Sequence, residues 1–532
     1  MIIKIIVTII YLGIIAYLGV LGYQHTKTSS DYLLGNRRIH PMIMALSYGA
    51  TFISTSAIVG FGGNAGVFGF SLLWLTFLNI FLGVFVAFVF FGKRTRHMGH
   101  NLNVHTFPEF LGERYKSKFI KKFAGVVIFL FMPAYTAAVM IGAAKFIEGS
   151  LKINYNVALF VFAVIVAAYV FFGGIRGVMY SDAFQGTLML VGMSILIVAV
   201  YSRLGGVTAA HTKLTELLNN PVVNDQIAGL RAGGFQGWTR MPKLFSQYWW
   251  IIVSSIVMGV GIGVLAQPQL AVRFMTVKSD KELNRAVPIG GVFILMMTGV
   301  AFVVGALSNV LFFESTGKIA VAAAGETDKI IPLFMDNFMP EWYMSVFLVI
   351  LLAAGMSTIS SQFHAIGTAV GRDIFSGKST DPKKIMLYSR MGVLLAIITT
   401  VLLAYIMPQI WDGAIAISTG LFFGLCGAAF LPMYFGALYC KKLSKAAALS
   451  GMLTGFFSSL LWMMFIHSKE SAVLKVCQWL FGKPMLLTGT IQFVDPIIIS
   501  LSLSIIVTIV VQQFTKSKYS KEHIDKCFNG IA

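Results

Sequence analysis

Charged residues are scarce in this chain. They make up 12% of its 532 residues, about half the share found in soluble domains. Acidic side chains are scarcer still, 21 Asp and Glu against 41 Lys and Arg. Cysteine occurs four times, at Cys426, Cys440, Cys477 and Cys527, with no CxxC pair. That scatter argues against a disulfide framework or a structural zinc site. The sequence lacks GxxxxGK[ST], HExxH and GxSxG. ATP is therefore not an evident energy source, and an enzyme is the least favoured class. No basic stretch interleaves with stacking aromatics, so the net charge of +20 does not read as a nucleic-acid surface.

Apolar residues fill the space that charge leaves. They form 57% of the chain, with a mean hydropathy of +0.80. The runs are long and do not alternate, which selects membrane-spanning helices over a barrel. Thirteen spans are expected, near 2–22, 41–66, 71–92, 120–149, 156–173, 181–203, 246–267, 286–312, 341–370, 385–406, 411–437, 446–466 and 493–513. The first is read as an uncleaved span, because Lys and Arg follow it rather than precede it. One set of alternating connections, from Lys27 to the tail "TKSKYSKEHIDK", holds 28 of the 41 Lys and Arg. The positive-inside rule then places the N-terminus outside and the C-terminus in the cytoplasm of a multi-pass cell-membrane protein.

Two spans carry glycine clusters, "IVGFGGNAGVFGF" (58–70) and "VMGVGIGVLAQPQ" (257–269). Paired interruptions at matching places in two halves point to a transporter with inverted repeats. Glycine is also simply common in membrane helices, and the clusters alone do not separate the two readings. The stretch "AAGMSTISSQFHA" (353–365) is more telling. On a helix, Ala354, Ser357, Thr358 and Ser361 fall at i, i+3, i+4 and i+7, on one face, with Ser360 on the adjoining stripe. Small and hydroxylated residues glue membrane helices together. They also offer neutral oxygens and a reachable carbonyl to a hard cation such as sodium. Asp182 is a carboxylate in a membrane segment, where burying charge costs at least about 2.5–3.5 kcal/mol. It reads either as part of a cation site or as a helix cap. His364 has no second ligand beside it and reads as packing or water-facing.

Four motifs in order make the chain resemble the solute:sodium symporter family over nearly its whole length: "DYLLGNRRI" (31–39), "FGGIRGVMYSDAFQG" (172–186), "GVLAQPQLAVRFM" (263–275) and "LAAGMSTISS" (352–361). The resemblance implies an all-α membrane protein with a five-plus-five inverted-repeat core, the first helix of each repeat broken. It divides the chain into an accessory helix and loop (1–40), a first repeat (41–203), an extracellular loop (204–245), a second repeat (246–437) and accessory helices with a tail (438–532). It implies a principal sodium site at the carbonyls of Ala50, Ile53 and Ala354 and the hydroxyls of Ser357 and Thr358. A second sodium site would use Asp182, Ser360 and Ser361, sharing Ser357.

The solute is less sharply marked. Phe52 stands where some amino-acid-carrying relatives have an aspartate, and the fourth span lacks the arginine used for large acidic sugars. The expectation is sodium-coupled uptake of a small organic solute, leaning to a small organic acid or monocarboxylate. A proline-like amino acid or a sugar is the alternative, with a non-transporting sensor behind them. The pocket residues expected are Ser54, Thr55, Trp74, Tyr135, Tyr248 and Trp249. Sodium, the solute and the lipid bilayer are the expected partners, with no organic cofactor and no nucleic acid.

Overall fold

The computed structural model describes residues 2–24, 39–375, 382–410 and 414–531. The motif at 31–38, with Lys27, Arg37 and Arg38, lies outside the described residues. Apart from one isolated bridge between Ile39 and Val277, every regular element among the described residues is helical. Eleven of these helices are long and apolar enough to cross a membrane, and Tyr155–Ala167 is a shorter apolar stretch.

The helices depart from the thirteen expected spans in two places. Residues 41–66 do not make one rod: Pro41–Phe52 stops, and a second apolar run, Ser56–Asn101, carries the rest. The expected spans 156–173 and 181–203 belong to one helix, Tyr155–Leu204. The glycine and arginine at 174–177 suggested a boundary, but no proline forbids a continuous helix there.

Both interruptions exist, and neither is made by its glycines. The first falls at Ile53, which is extended (φ −92°, ψ 108°). Ser54 then restarts the helix, its Oγ accepting the Ser56 N–H at 3.2 Å, the local capping that serine provides. The second falls at Gln267 (φ −73°, ψ 117°), where Pro268 begins the short helix Pro268–Phe274. A residue before proline is driven out of the helical region, and proline is at home at a helix start. The glycines do a different job, close approach. A Cβ on Gly63 would lie 2.2 Å from the Thr327 carbonyl, and one on Gly263 would lie 2.3 Å from that of Phe423.

Glu341–Thr368 is the central helix. Of its best 18-residue apolar window, 94% is buried inside the protein. It packs against Tyr155–Leu204, Lys118–Leu151 and the N-terminal helix Ile2–Gln24. Loop 204–245 folds over the first broken helix. Trp238 is fully buried and donates its indole N–H to the Gly66 carbonyl at 3.0 Å. Gly69 (φ +70°) sits against the Trp238 backbone, where a Cβ would come within 1.9 Å of its carbonyl.

Candidate functional site

The break at Ile53 and the hydroxyls of the central helix meet. Ser357 Oγ donates to the Ala50 carbonyl at 2.9 Å and lies 3.2 Å from that of Ala354. Thr358 Oγ1 lies 3.1 Å from the Thr51 carbonyl and 3.4 Å from that of Ala50. Ala50, Ala354, Ser357 and Thr358 are all fully buried. Ile53 is equally buried and forms the C-cap, its N–H held by the Gly49 carbonyl at 2.8 Å. Four of the five sequence-derived oxygens thus cluster, and the fifth lies on the adjacent turn. Each hydroxyl carries one hydrogen and two lone pairs. Rotating the hydrogen away turns these same oxygens toward a cation without moving the backbone.

Next to this cluster lies a buried ion pair that the sequence reading missed. Arg273 Nη2 donates to Asp182 Oδ2 at 2.7 Å and lies 2.6 Å from Thr51 Oγ1 and 2.7 Å from Ser361 Oγ, which share its second hydrogen. Its Nε reaches Ser47 Oγ at 3.1 Å, and Nη1 reaches the Gln269 carbonyl at 3.0 Å. Asp182 Oδ2 also accepts from Ser47 Oγ at 2.9 Å. In sequence Arg273 stands at the start of a basic connecting segment, Arg273 to Arg285, yet it is 2% exposed. The signal was there in principle: Gln269 and Arg273 are one turn apart on a helix opened by a proline, directly after a break. Only the fold shows that this turn points inward.

Asp182 is not a cap. It lies well inside Tyr155–Leu204, facing the half-helix Pro41–Phe52 through Ser47 and Thr51. Its Oδ1 is buried and has no hydrogen-bond partner among the described residues. Ser360 turns back along its own helix to the Ser357 carbonyl at 3.1 Å. Ser361 shares a 2.9 Å contact with Thr51 Oγ1 besides its bond to Arg273. Of the four residues expected for a second ion, two are therefore already engaged by a guanidinium.

A cavity of about 20 Å³ opens beside the first break, lined by Phe52, Ile53, Ser54, Asn79, Tyr135 and Phe423 among others. That is room for roughly one water molecule. Ser54 and Tyr135 were expected there and line it. Thr55 does not: its hydroxyl is tied to the Val139 carbonyl at 2.7 Å. Trp74 is 55% exposed and packs edge-on against Phe77. Tyr248 stacks on Phe68, and Trp249 packs with Phe245 and Trp250. These three flank the glycine clusters in sequence, but the interruptions lie elsewhere, at Ile53 and Gln267, and none of the three lines the cavity. Asn79, Thr298, Thr419 and Phe423, from three other helices, complete the lining. Nothing local in the sequence marks them. A second small cavity adjoins the ion pair and is lined by His105, Gln269, Arg273, Ser361, His364 and Thr368, which settles His364 as cavity-lining.

On the side of the basic loops, a cluster of charges closes the bundle. Glu109 accepts from Arg372 Nε at 2.8 Å and from the His105 backbone N–H at 2.8 Å. Lys121 Nζ lies 3.7 Å from Glu109 and 3.6 Å from Asp373. Burial pushes the Glu109 carboxyl up, but bonds from His105 and Arg372 and the charges of Arg372 and Lys121 outweigh it. They hold the group well below its usual range.

Residues 32–455 match the sodium:solute symporter family. The chain is 28% identical to sodium/proline symporter 2 of Staphylococcus saprophyticus, over 96% of this chain and 93% of that one. It is also 28% identical to the sodium/proline symporter of Staphylococcus aureus, over 95% and 92%. Among solved structures, a Na+-coupled sialic acid symporter in a substrate-bound outward-open state shares the fold, with a TM-score of 0.75 at 18% identity over 97% of this chain and 99% of that one. A nucleobase-cation-symport-1 family transporter aligns with a TM-score of 0.50 at 14% identity, over 93% and 97%. With its broken helix, its buried oxygen cluster and a family match across most of its length, this multi-pass membrane chain belongs to the sodium:solute symporter family and works by sodium-coupled symport.

Proposed function

We propose that the chain takes up a small organic solute with one carboxylate and a compact apolar body, driven by sodium bound at Ala50, Ile53, Ala354, Ser357 and Thr358. The observation that carries this reading is the chemistry of the residues lining the cavity beside the break, which at about 20 Å³ has to widen before it admits a solute. Its lining holds no charged side chain. Phe52, Phe61, Phe302 and Phe423 enclose it, and Ser54, Asn79, Tyr135, Thr298 and Thr419 provide hydrogen bonds. A carboxylate there would be met by hydroxyls, the Asn79 amide and the start of the restarted half-helix. Proline satisfies this description as well as a monocarboxylate does, and the two staphylococcal relatives named for proline favour it. A sugar, with hydroxyls on every side, fits a phenylalanine-rich lining poorly.

A second sodium at Asp182, with Ser357, Ser360 and Ser361, extends the proposal. It would use the unpartnered Oδ1 and would need the guanidinium of Arg273 to yield. Orientation in the cell membrane follows the basic loops, N-terminus outside and C-terminus cytoplasmic. The test is uptake of labelled proline, lactate and glucose into proteoliposomes with an imposed sodium gradient. Sodium-dependent uptake of proline or lactate supports the reading, and uptake of glucose alone refutes it. Reversal potentials on the same preparation give the stoichiometry. One charge crossing 100 mV is worth about 2.3 kcal/mol, and a tenfold gradient adds about 1.4 kcal/mol. One and two ions therefore differ by several hundredfold in the accumulation they support.

A further inference from the structure

A wide cavity lies away from the ion site. It is a groove of about 780 Å³ on the outer face, walled by Ala414–Tyr439 and Pro496–Phe514 and floored by Phe91 and Leu265. Its lining is almost wholly apolar, with Phe435, Leu501, Ile505 and Ile509 along its length. Several of these side chains are exposed, Phe435 by 48% and Ile509 by 55%. The helices that carry them are long and apolar enough to cross a membrane, so the groove opens into hydrocarbon rather than water.

One end of the groove is different. Cys440, Lys442, Gln512 and Gln513 lie there. Gln512 is occupied, its Oε1 accepting the Ser444 N–H at 2.7 Å and its Nε2 donating to the Lys442 carbonyl at 3.1 Å. Lys442 is exposed and has no ion pair among the described residues. Lys441 and Lys445 stand beside it in "CKKLSK". An apolar trough ending in a lysine that has no ion pair among the described residues, at a membrane edge, is complementary to one kind of occupant, acyl chains joined to a negative headgroup. A zwitterionic lipid would fill the trough and leave Lys442 unmatched.

The groove also backs onto the second break. Leu265, on its floor, lies two residues before the second break at Gln267. The helix Ala414–Tyr439 that walls it contributes Thr419 and Phe423 to the solute cavity. We propose that this groove binds one anionic phospholipid, its phosphate at Lys442 and its chains along Phe435, Leu501 and Ile505, and that the bound lipid braces the second broken helix.

Cys440 supplies the test, because it is the exposed cysteine of the four and lies at the mouth. The full-length protein is reconstituted into phosphatidylcholine vesicles, or into vesicles with one part in five phosphatidylglycerol. The rate of N-ethylmaleimide labelling at Cys440 is then measured. Phosphatidylglycerol is expected to slow labelling about fivefold, the effect of one lysine near anionic lipid. A reference thiol, Lys518→Cys on the exposed tail in a Cys440→Ala background, reports the general surface effect and is expected to change little. Lys442→Gln should remove the protection. Ile505→Trp, which fills the trough, should make the Cys440 rate independent of lipid. Equal Cys440 rates in the two vesicles, equal protection at the tail, or protection that survives Lys442→Gln would each overturn the proposal.

Discussion

Replacing Arg273 with glutamine should expose how the charge beside the sodium oxygens is balanced. The wild-type pair lies 2.7 Å apart with side chains 3% and 0% exposed. Removing one partner of such a pair leaves a buried charge and costs about 3–5 kcal/mol. That is roughly a hundredfold to several thousandfold in the folded-to-unfolded ratio. Asp182→Asn should cost less when added to Arg273→Gln than when made alone, since it removes the orphaned charge, and the double mutant should recover much of the loss. The coupling energy from the four proteins measures the pair directly. The assay is thermal unfolding of purified protein in detergent, with choline or sodium as the cation. Sodium supplies the second reading. In Arg273→Gln, Asp182 keeps Ser47, Thr51 and Ser361 around it, a set of oxygens suited to a small hard cation. Sodium should then stabilise that mutant more than it stabilises wild type, by mass action on the folded state. Asp182→Asn in the same background should abolish the extra effect. The reasoning is refuted if Arg273→Gln melts like wild type in choline, or if the two substitutions are additive.

Other expectations follow from the same geometry. Ser357→Ala and Thr358→Ala should each raise the sodium concentration for half-maximal uptake while leaving protein level near wild type. Unchanged sodium dependence in both would leave these hydroxyls as helix glue. Asp182→Asn should lower sodium cooperativity and the steady-state accumulation ratio in proteoliposomes, and a wild-type ratio of one sodium per solute would remove the second ion. In a cysteine-free background, a cysteine at 230 should react with an impermeant reagent in intact cells, and one at 100 only after permeabilisation. The Glu109 carboxyl is held below its usual value of 4.5. Its contribution to stability is therefore present above about pH 4.5 and is lost as the pH falls through the depressed value. The melting-temperature gap between wild type and Glu109→Gln should narrow on acidification below that point, and a gap that widened there would contradict the ion cluster.

Much of the architecture was legible because lipid imposes simple rules. Long apolar runs with few charges have to be helices, and the helical period alone puts Ala354, Ser357, Thr358 and Ser361 on one face. Ala50 and Ile53 came from the resemblance as residues just before a glycine break, and the structure puts the break earlier, at Ile53 itself. The sequence was misleading where a local feature admitted two uses. The glycine clusters suggested the unwound points, yet those glycines serve close packing, while Ser54 and Pro268 make the interruptions. Trp74, Tyr248 and Trp249 flank the glycine clusters in sequence but do not line the cavity, because the chain is interrupted at Ile53 and Gln267 instead.

By itself the sequence determined that this chain is helical, spans a membrane repeatedly and carries a row of neutral oxygens inside it. Composition, period and cost of burial are local properties, and each can be read one segment at a time. Only the tertiary structure decided which groups meet. Arg273, Asp182, Ser47, Thr51 and Ser361 come from four helices, and Thr51 and Ser361 are 310 positions apart. A lone arginine near a helix end looks in sequence like one more loop charge. Its burial at 2% and its carboxylate partner are consequences of packing, and no spacing rule along the chain encodes them.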